Sequence, residues 1–325
     1  MSLIHKPGFG SKPIGDFLKS SAFGILLILL AMCAVMFVVS PPFGNMSNLL
    51  SVARSFSAIA VAGIGVSVII IAGGIDLSVG SVYGLAGVTA ALLLTVLQLP
   101  MLVAVLGGIV AGALIGFING SLVIKARLPP FIATLGTLSI ARGLCFILTK
   151  GYPITKLPKS FLYIGQGYLA GIPFPVVIML VIGMIGAVFL NKTTTGRRIF
   201  ALGGNAEATR ISGINTNKLT LFAYTLGSAL ASVAGIISAS RLGVGQPTAG
   251  TGFELDAIAA VVIGGASLSG GEGTILGTIL GAAIMGVLRN ALVLLAVNAY
   301  WQQFIIGFVI ILAVSFDQMK NRRQK

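Results

Sequence analysis

The chain has 325 residues, of which 56% are hydrophobic and only 9% are charged, whereas soluble globular domains carry about 25% charged residues. This composition excludes an ordinary soluble domain and predicts an all-α integral membrane protein. The net charge of +14 raises the alternative of nucleic-acid binding, but the basic residues are scattered between apolar blocks and no basic motif contains interleaved aromatic residues.

Ten apolar blocks predict a polytopic bundle of about 10 transmembrane helices, because most blocks reach the roughly 20 residues that a helix needs to cross a bilayer. We expect the shorter blocks to form broken or tilted helices. The sequence predicts a single transmembrane domain, residues 21–318, between polar tails at 1–20 and 319–325. The blocks lie at residues 21–40, 49–72, 78–97, 101–124, 131–149, 173–190, 219–239, 253–268, 273–295 and 299–316.

The distribution of Lys and Arg predicts the orientation of the chain. Ten spans place fourteen of these residues in the segments and tails of one side and four on the other. The positive-inside rule makes the richer side cytoplasmic, and both termini lie there. The four on the outer side are Lys150, Lys156, Lys159 and Arg241.

Asp76 is a carboxylate within the apolar part of the chain. Such a group costs about 2.5–3.5 kcal/mol at the centre of a spanning helix, so it belongs at a helix break or beside water or a polar partner. Glycines at 73 and 74 precede it and Ser78 follows it, which is typical of a break. We therefore expect Asp76 either to cap the next helix or to take part in gating.

The longest polar interruption between apolar blocks spans residues 191–218 and contains five Lys and Arg residues; we call it the polar segment. A turn between two membrane helices needs far fewer residues, so the length indicates docking to a cytoplasmic partner. Gly203 and Gly204 predict a flexible turn within it.

A short helix from about Ala206 to Ser212 is predicted inside the polar segment. Asn205 is a good N-cap, Glu207 lies in the first turn, where the helix dipole favours a negative charge, and Gly213 is a natural stop. A helix this short is marginal in water, so a partner or the membrane domain must hold it.

Glu254 and Asp256 begin another helix on the predicted outer side, and Arg289 lies toward the same side of the ninth block. We expect an ion pair between these carboxylates and Arg289. Arg54 and Arg142 also fall inside predicted spans, and the sequence assigns them no partner.

Glu207-Ala208-Thr209 followed by Gly213 resembles the E-A-A-x-x-x-G signature of ABC importer permeases, whose coupling helix sits in a cleft of the ATP-binding subunit. Thr209 replaces the second alanine of the signature, and its downstream hydrophobic-proline portion is not evident. A generic amphipathic interfacial helix is the alternative.

Four longer motifs make the chain, from about residue 20 onward, similar to the ribose-type (carbohydrate uptake class 2) sugar permeases. The pattern is most similar to that of ribose permeases, although xylose, arabinose, galactose, inositol and autoinducer-2 permeases share much of it. The motifs are GGIDLSVGS (73–81), FIATLGTLSIARG (131–143), ALGGNAEATRISGIN (201–215) and QPTAGTGFELDAIAAVVIGGASLSGGEGT (246–274).

The resemblance implies a homodimeric permease of the bacterial cytoplasmic (inner) membrane, with a separate ATP-binding cassette subunit and a periplasmic or extracellular sugar-binding protein as partners. The chain lacks the G-x-x-x-x-G-K-[ST] phosphate loop, so ATP and Mg belong to the partner subunit and we expect no bound cofactor, metal or enzymatic activity here. The residues expected to couple to the ATPase are Arg197, Gly204, Asn205, Ala206, Glu207, Ala208, Thr209, Arg210 and Gly213.

Polar residues within the apolar spans are the candidates for the translocation path or its gate. Hydrogen bonds between helices are the alternative role for such residues. An ion-coupled secondary transporter also remains open, because carboxylates lie within the spans. An intramembrane enzyme has little support, since the sole histidine, His5, lies in the N-terminal tail. The path candidates are Asp76, Ser78, Asn119, Asn290 and Gln302.

Overall fold

The computed structural model describes residues 21–322, and apart from one short hairpin the regular structure of these residues is helical. In chain order the elements are α1 (Ser21–Val39), a 3-10 helix (Pro41–Gly44), α2 (Met46–Ile71), α3 (Val79–Thr95), α4 (Met101–Lys125), α5 (Pro130–Thr149), α6 (Lys159–Gln166), β1 (Tyr168–Leu169), β2 (Ile172–Pro173), α7 (Phe174–Lys192), α8 (Thr194–Gly204), α9 (Ala206–Ile211), α10 (Thr216–Leu242), α11 (Phe253–Ile263), α12 (Ile275–Leu294) and α13 (Ala299–Arg322).

Seven of the described helices are long and apolar enough to cross a membrane, namely α1, α2, α4, α5, α7, α10 and α12. The predicted all-helical membrane protein is therefore confirmed. Each of the other three predicted blocks also contains a helix, but α3 has 17 residues and α11 has 11, and the apolar part of α13 is short as well. The crossing number of about 10 thus remains a prediction.

The centre of the bundle is built from α2, α3 and α10. The second half of α2 and nearly all of α3 are buried on every side, as expected for helices that are apolar all round. Small residues allow these helices to pack closely. A methyl group on Gly112 of α4 would overlap with the Ser232 side chain of α10, and one on Gly108 would meet the Ala86 carbonyl of α3.

Two non-helical segments interrupt the apolar blocks of the bundle. The first separates α2 from α3: Gly73 adopts a φ of +84°, and the N–H of Gly74 donates to the Ile69 carbonyl at 2.9 Å, which ends α2. The second follows α11, which stops at Ile263, so the predicted block 253–268 is helical only in its first part. We call residues 72–78 the first break and residues 264–274 the second break.

The segments at the predicted outer side contact each other. Ile154 and Gly245 form a bridge of two backbone hydrogen bonds, each 2.9 Å long. The N–H of Gly165 donates to the Ser240 hydroxyl, which in turn donates to the Phe161 carbonyl. Residues 150–172 and 241–252 therefore share one surface.

Candidate functional site

The polar segment folds into two helices, α8 and α9, which are separated only by Asn205. The predicted flexible turn at Gly203 and Gly204 is wrong, because these residues form the last turn of α8. Tertiary packing explains the difference. Ile199 and Leu202 of α8 are buried in an apolar cluster with residues of α2, α7 and α10, and this burial outweighs the low helix propensity of glycine.

The short helix α9 has the end groups that the sequence predicts. The Asn205 side chain accepts a hydrogen bond from the Ala208 N–H at 2.8 Å and caps the first turn. Gly213 adopts a φ of +79°, and its N–H donates to the Arg210 carbonyl at 3.0 Å. The helix spans Ala206–Ile211, one residue less than predicted. Local contacts alone therefore fix both of its ends.

The outward face of α9 carries a charged pair, two alanines and one large apolar side chain. Arg210 donates to both Glu207 carboxylate oxygens, at 2.6 and 3.0 Å, and this hydrogen-bonded charge pair lowers the pKa of Glu207. Both side chains are about two-thirds exposed, so the pair adds little to folding. Ile211 is 73% exposed, whereas Thr209 is buried. The other predicted coupling residues, Arg197, Gly204, Ala206 and Ala208, are exposed.

A glycine junction connects α8 to both breaks; its members are Gly73, Gly203, Gly270 and Gly271. A methyl group on Gly203 would overlap with the Ile71 carbonyl oxygen. The N–H of Gly271 donates to that carbonyl at 2.9 Å, and a Cβ on Gly270 would lie 3.0 Å from the Cα atoms of Gly203 and Gly73. The backbone of the polar segment thus lies directly against both breaks.

A buried hydrogen-bond network surrounds the first break. One carboxylate oxygen of Asp76 accepts from the N–H of Ser78 at 2.8 Å and from its hydroxyl at 2.6 Å. Asn119 donates to the Ser78 hydroxyl at 2.9 Å, and Thr137 donates to the Asn119 side chain at 2.6 Å. Ser228 approaches the second oxygen of Asp76 at 3.4 Å. These five residues, the central network, tie α4, α5 and α10 to the start of α3.

Of the predicted path residues, Asp76, Ser78 and Asn119 lie together in the central network, where all three are fully buried. Sequence reasoning missed Thr137 and Ser228. The signal for Ser228 was present in α10, because Tyr224, Ser228 and Ser232 follow one another at intervals of four and so share a helix face.

The structure does not bring the other two path candidates to the central network. Asn290 exchanges hydrogen bonds of 2.8 and 3.2 Å with Asn48, which joins α12 to α2. The Gln302 side chain donates to the Val297 carbonyl at 2.8 Å and lines a cavity of about 500 Å³ near the start of α13. Asn290 therefore joins two helices, and its part in the translocation path stays a prediction.

Arg289 and Asp256 form an ion pair between α12 and α11. One guanidinium nitrogen lies 2.7 and 2.6 Å from the two carboxylate oxygens, and the Asp256 side chain is 8% exposed. The expectation that Glu254 joins this pair is wrong, because residues two apart on a helix face different sides. The Glu254 carboxylate instead packs against Gly80 of α3.

A family model described as branched-chain amino acid transport system / permease component matches residues 48–314. The chain belongs to this permease family. Membership makes the permease a transport subunit and not an enzyme.

The permease is 44% identical over 300 residues to the ribose import permease protein RbsC of Escherichia coli K12, covering 91% of this chain and 93% of that protein. It is 42% identical over 320 residues to RbsC of Bacillus subtilis, covering 98% and 96%. It is 35% identical over 343 residues to the galactose/methyl galactoside import permease protein MglC of Escherichia coli K12, covering 100% of both. No solved structure matches. The resemblance to ribose-type permeases is confirmed.

The two arginines without a predicted partner hold loops of the permease in place. Arg142 of α5 donates to the carbonyls of Pro247 and Ala249 at 2.6 and 2.7 Å, which fixes the loop before α11. Arg54 of α2 lies over the Tyr168 ring, 4.9 Å from its centre. Long-range contacts of this kind leave no local signal in the sequence.

We expect Arg289→Glu to destabilise the permease by about 3 kcal/mol, because it leaves the Asp256 carboxylate facing a like charge in a largely buried site. The double variant Arg289→Glu/Asp256→Arg restores opposite charges and should recover most of the loss. Thermal unfolding in detergent measures both variants. If the double variant is as unstable as the single variant, opposite charges at these two positions are not what stabilises the permease.

Proposed function

We propose that this chain is the membrane-spanning subunit of a binding-protein-dependent ABC importer that carries ribose into the cytoplasm by alternating access. The observation that carries the proposal is the identity of 42–44% to ribose import permeases over more than nine-tenths of the chain. Relatives named for D-allose and for galactose reach 35%. The closer likeness to the ribose proteins favours ribose as the cargo.

The polar segment is the part that we assign to the ATP-binding subunit. Its helix α9 has its own caps at Asn205 and Gly213, so docking requires little further ordering of the backbone. Exposed Ile211 supplies an apolar anchor beside the Glu207–Arg210 pair. ATP and Mg belong to that partner, and the force of its closure enters this chain through α9.

The glycine junction gives this force a short route into the membrane domain. A movement of α8 displaces the end of α2 and the first break, because backbone lies against backbone at Gly203, Ile71 and Gly73. Asp76 and Ser78 lie a few residues further on in the same break and hold α4, α5 and α10 through the central network. A shift there would change the packing of several helices at once.

The remaining assignments complete the proposed importer. We assign ten crossings of the bacterial inner membrane by residues 21–318, with the tails 1–20 and 319–325 in the cytoplasm, as the Lys and Arg distribution favours. A second copy of the chain completes the pathway. The outer surface formed by residues 150–172 and 241–252 receives the sugar-binding protein, whose acidic groups would face its basic residues.

Replacing Glu207 by Arg should uncouple ATP hydrolysis from ribose uptake, because it reverses an exposed charge on the docking face at little cost to the fold. ATPase activity and uptake are measured in the same proteoliposomes, with Lys125→Gln as the control at an exposed position at the end of α4, outside the polar segment. Gly213→Val should act similarly by straining the left-handed turn. Weaker docking of the binding protein in Glu207→Arg, with hydrolysis still coupled, would contradict this assignment.

A further inference from the structure

A cavity of about 170 Å³ lies between α2, α3, α10, α11 and α12, on the predicted outer side of the central network. We call it the arginine cavity. The side chains that define it are Arg54, Tyr83, Arg241, Phe253, Asp256 and Arg289. Neither the coupling role of the polar segment nor the central network accounts for it.

The charges around this cavity are unbalanced. Three guanidinium groups face one carboxylate, and that carboxylate is already paired with Arg289. Among the described residues, Arg54 and Arg241 have no carboxylate at ion-pair distance. Arg54 lies over the Tyr168 ring and Arg241 is in the last turn of α10, and both line the cavity, so its wall offers guanidinium donors to a ligand.

Two buried donors in the cavity wall lack an acceptor. The Nε–H groups of Arg54 and Arg289 are both buried, and neither has a hydrogen-bond partner among the described residues. Leaving such a donor unsatisfied costs about 1–3 kcal/mol, and a charged group costs more. A molecule with oxygen acceptors would satisfy both donors at once.

The chemistry of the wall selects the class of molecule. Guanidinium groups donate to hydroxyl oxygens, and the Asp256 carboxylate accepts from hydroxyl hydrogens, so the wall complements a molecule rich in hydroxyl groups. Tyr83 and Phe253, whose ring centres are 4.3 Å apart, supply an aromatic surface. The volume of about 170 Å³ leaves room for several waters or for one small molecule such as a monosaccharide.

We infer that the arginine cavity is a transient binding site for a single neutral monosaccharide on its way from the outer surface toward the central network. Arg54 and Arg289 donate to its hydroxyl oxygens and Asp256 accepts from a hydroxyl. The inference rests on the proposed function, which it extends by giving the sugar a site within the membrane domain. The ring centre of Tyr168 in strand β1 lies 4.9 Å from the Arg54 guanidinium carbon, so the outer hairpin touches one wall residue of the cavity.

Protection of a cysteine inside the cavity tests the inference. Ser55 lines the cavity and Ser160 is exposed on α6, so Ser55→Cys is the probe and Ser160→Cys its control. Both are made in a Cys33→Ala/Cys145→Ala background of the complete complex with its ATPase subunit. A water-soluble maleimide then labels each variant with and without millimolar ribose, and with inorganic phosphate in a parallel sample.

Ribose at twice its dissociation constant should slow labelling of Ser55→Cys about threefold, since the free fraction of sites falls by 1 + [L]/Kd. Labelling of Ser160→Cys should not change. Adding Arg54→Lys, which keeps the charge but lacks the Nε–H donor, should abolish the protection. Protection by phosphate alone, or equal labelling with and without ribose, would overturn the inference.

ATP-driven ribose uptake by the parent complex separates the two proposals. If the parent takes up ribose and Ser55→Cys is not protected, the cavity assignment fails and the proposed function stands. If the parent takes up no ribose, the proposed function fails. Protection by ribose would then still identify a monosaccharide site in the cavity.

Discussion

Gly203→Ala should lower the rate of ATP-driven ribose uptake by about tenfold or more. A tenfold change corresponds to about 1.4 kcal/mol in the free energy of the step that couples ATP hydrolysis to transport. The added methyl group would overlap with the Ile71 carbonyl oxygen, which also accepts the hydrogen bond from Gly271. Overpacking of this kind typically costs about 1–3 kcal/mol. Backbone atoms on both sides cannot move away as a flexible side chain would, so we expect α8 to separate from both breaks.

Gly204→Ala is the matched control for this experiment. Gly204 is the next residue of the same helix, and a Cβ there would meet no atom within 4 Å. Alanine favours a helix over glycine by up to about 1 kcal/mol, so this variant should be as stable as the parent or slightly more stable. Uptake and unfolding temperature are measured for both variants. Equal uptake by the two would show that the glycine junction does not transmit force.

Asp76→Leu should insert into the membrane normally and yet fail to transport ribose. Removing the carboxylate favours insertion by about 2.5–3.5 kcal/mol, so the amount of protein in the membrane should not fall. The substitution also removes the acceptor for the N–H and hydroxyl of Ser78 and leaves Ser228 without its carboxylate partner. Without that acceptor the start of α3 is no longer held in place. A movement of the first break then no longer reaches α4 and α10 through the central network.

Asp76→Asn is the conservative comparison. Its amide oxygen can still accept from Ser78, so we expect a substantial part of the uptake to remain. The amount of folded protein is measured by size-exclusion chromatography, and uptake in proteoliposomes is normalised to it. Full uptake by Asp76→Leu would mean that the central network is a packing feature without a role in transport.

Local signals in the sequence predict much of the helical structure. Continuous apolar blocks mark the membrane helices because burial in lipid needs neither periodicity nor a distant partner. Asn205 and Gly213 mark the ends of α9 because capping involves only neighbouring backbone groups. The pairing of Asp256 with Arg289 follows from the cost of leaving either charge alone within the spans.

Features that depend on distant contacts are not predictable in the same way. Gly203 and Gly204 have the composition of a turn, and only the packing of α8 against α2 makes them helical. Glu254 carries the same charge as Asp256, and only the rotation of α11 turns it toward Gly80. The partner of Asn119, Thr137, lies 18 residues away on another helix, where a neutral hydroxyl gives no sign of its role.

Reconstitution of the permease with its ATPase subunit and the sugar-binding protein tests the proposed function most directly. Uptake of radiolabelled ribose into the proteoliposomes is measured with and without each partner and with and without Mg-ATP. The proposal predicts uptake only when both partners and Mg-ATP are present, and an unlabelled excess of ribose should compete better than galactose. Ribose uptake driven by an ion gradient in vesicles that contain this chain alone would contradict it.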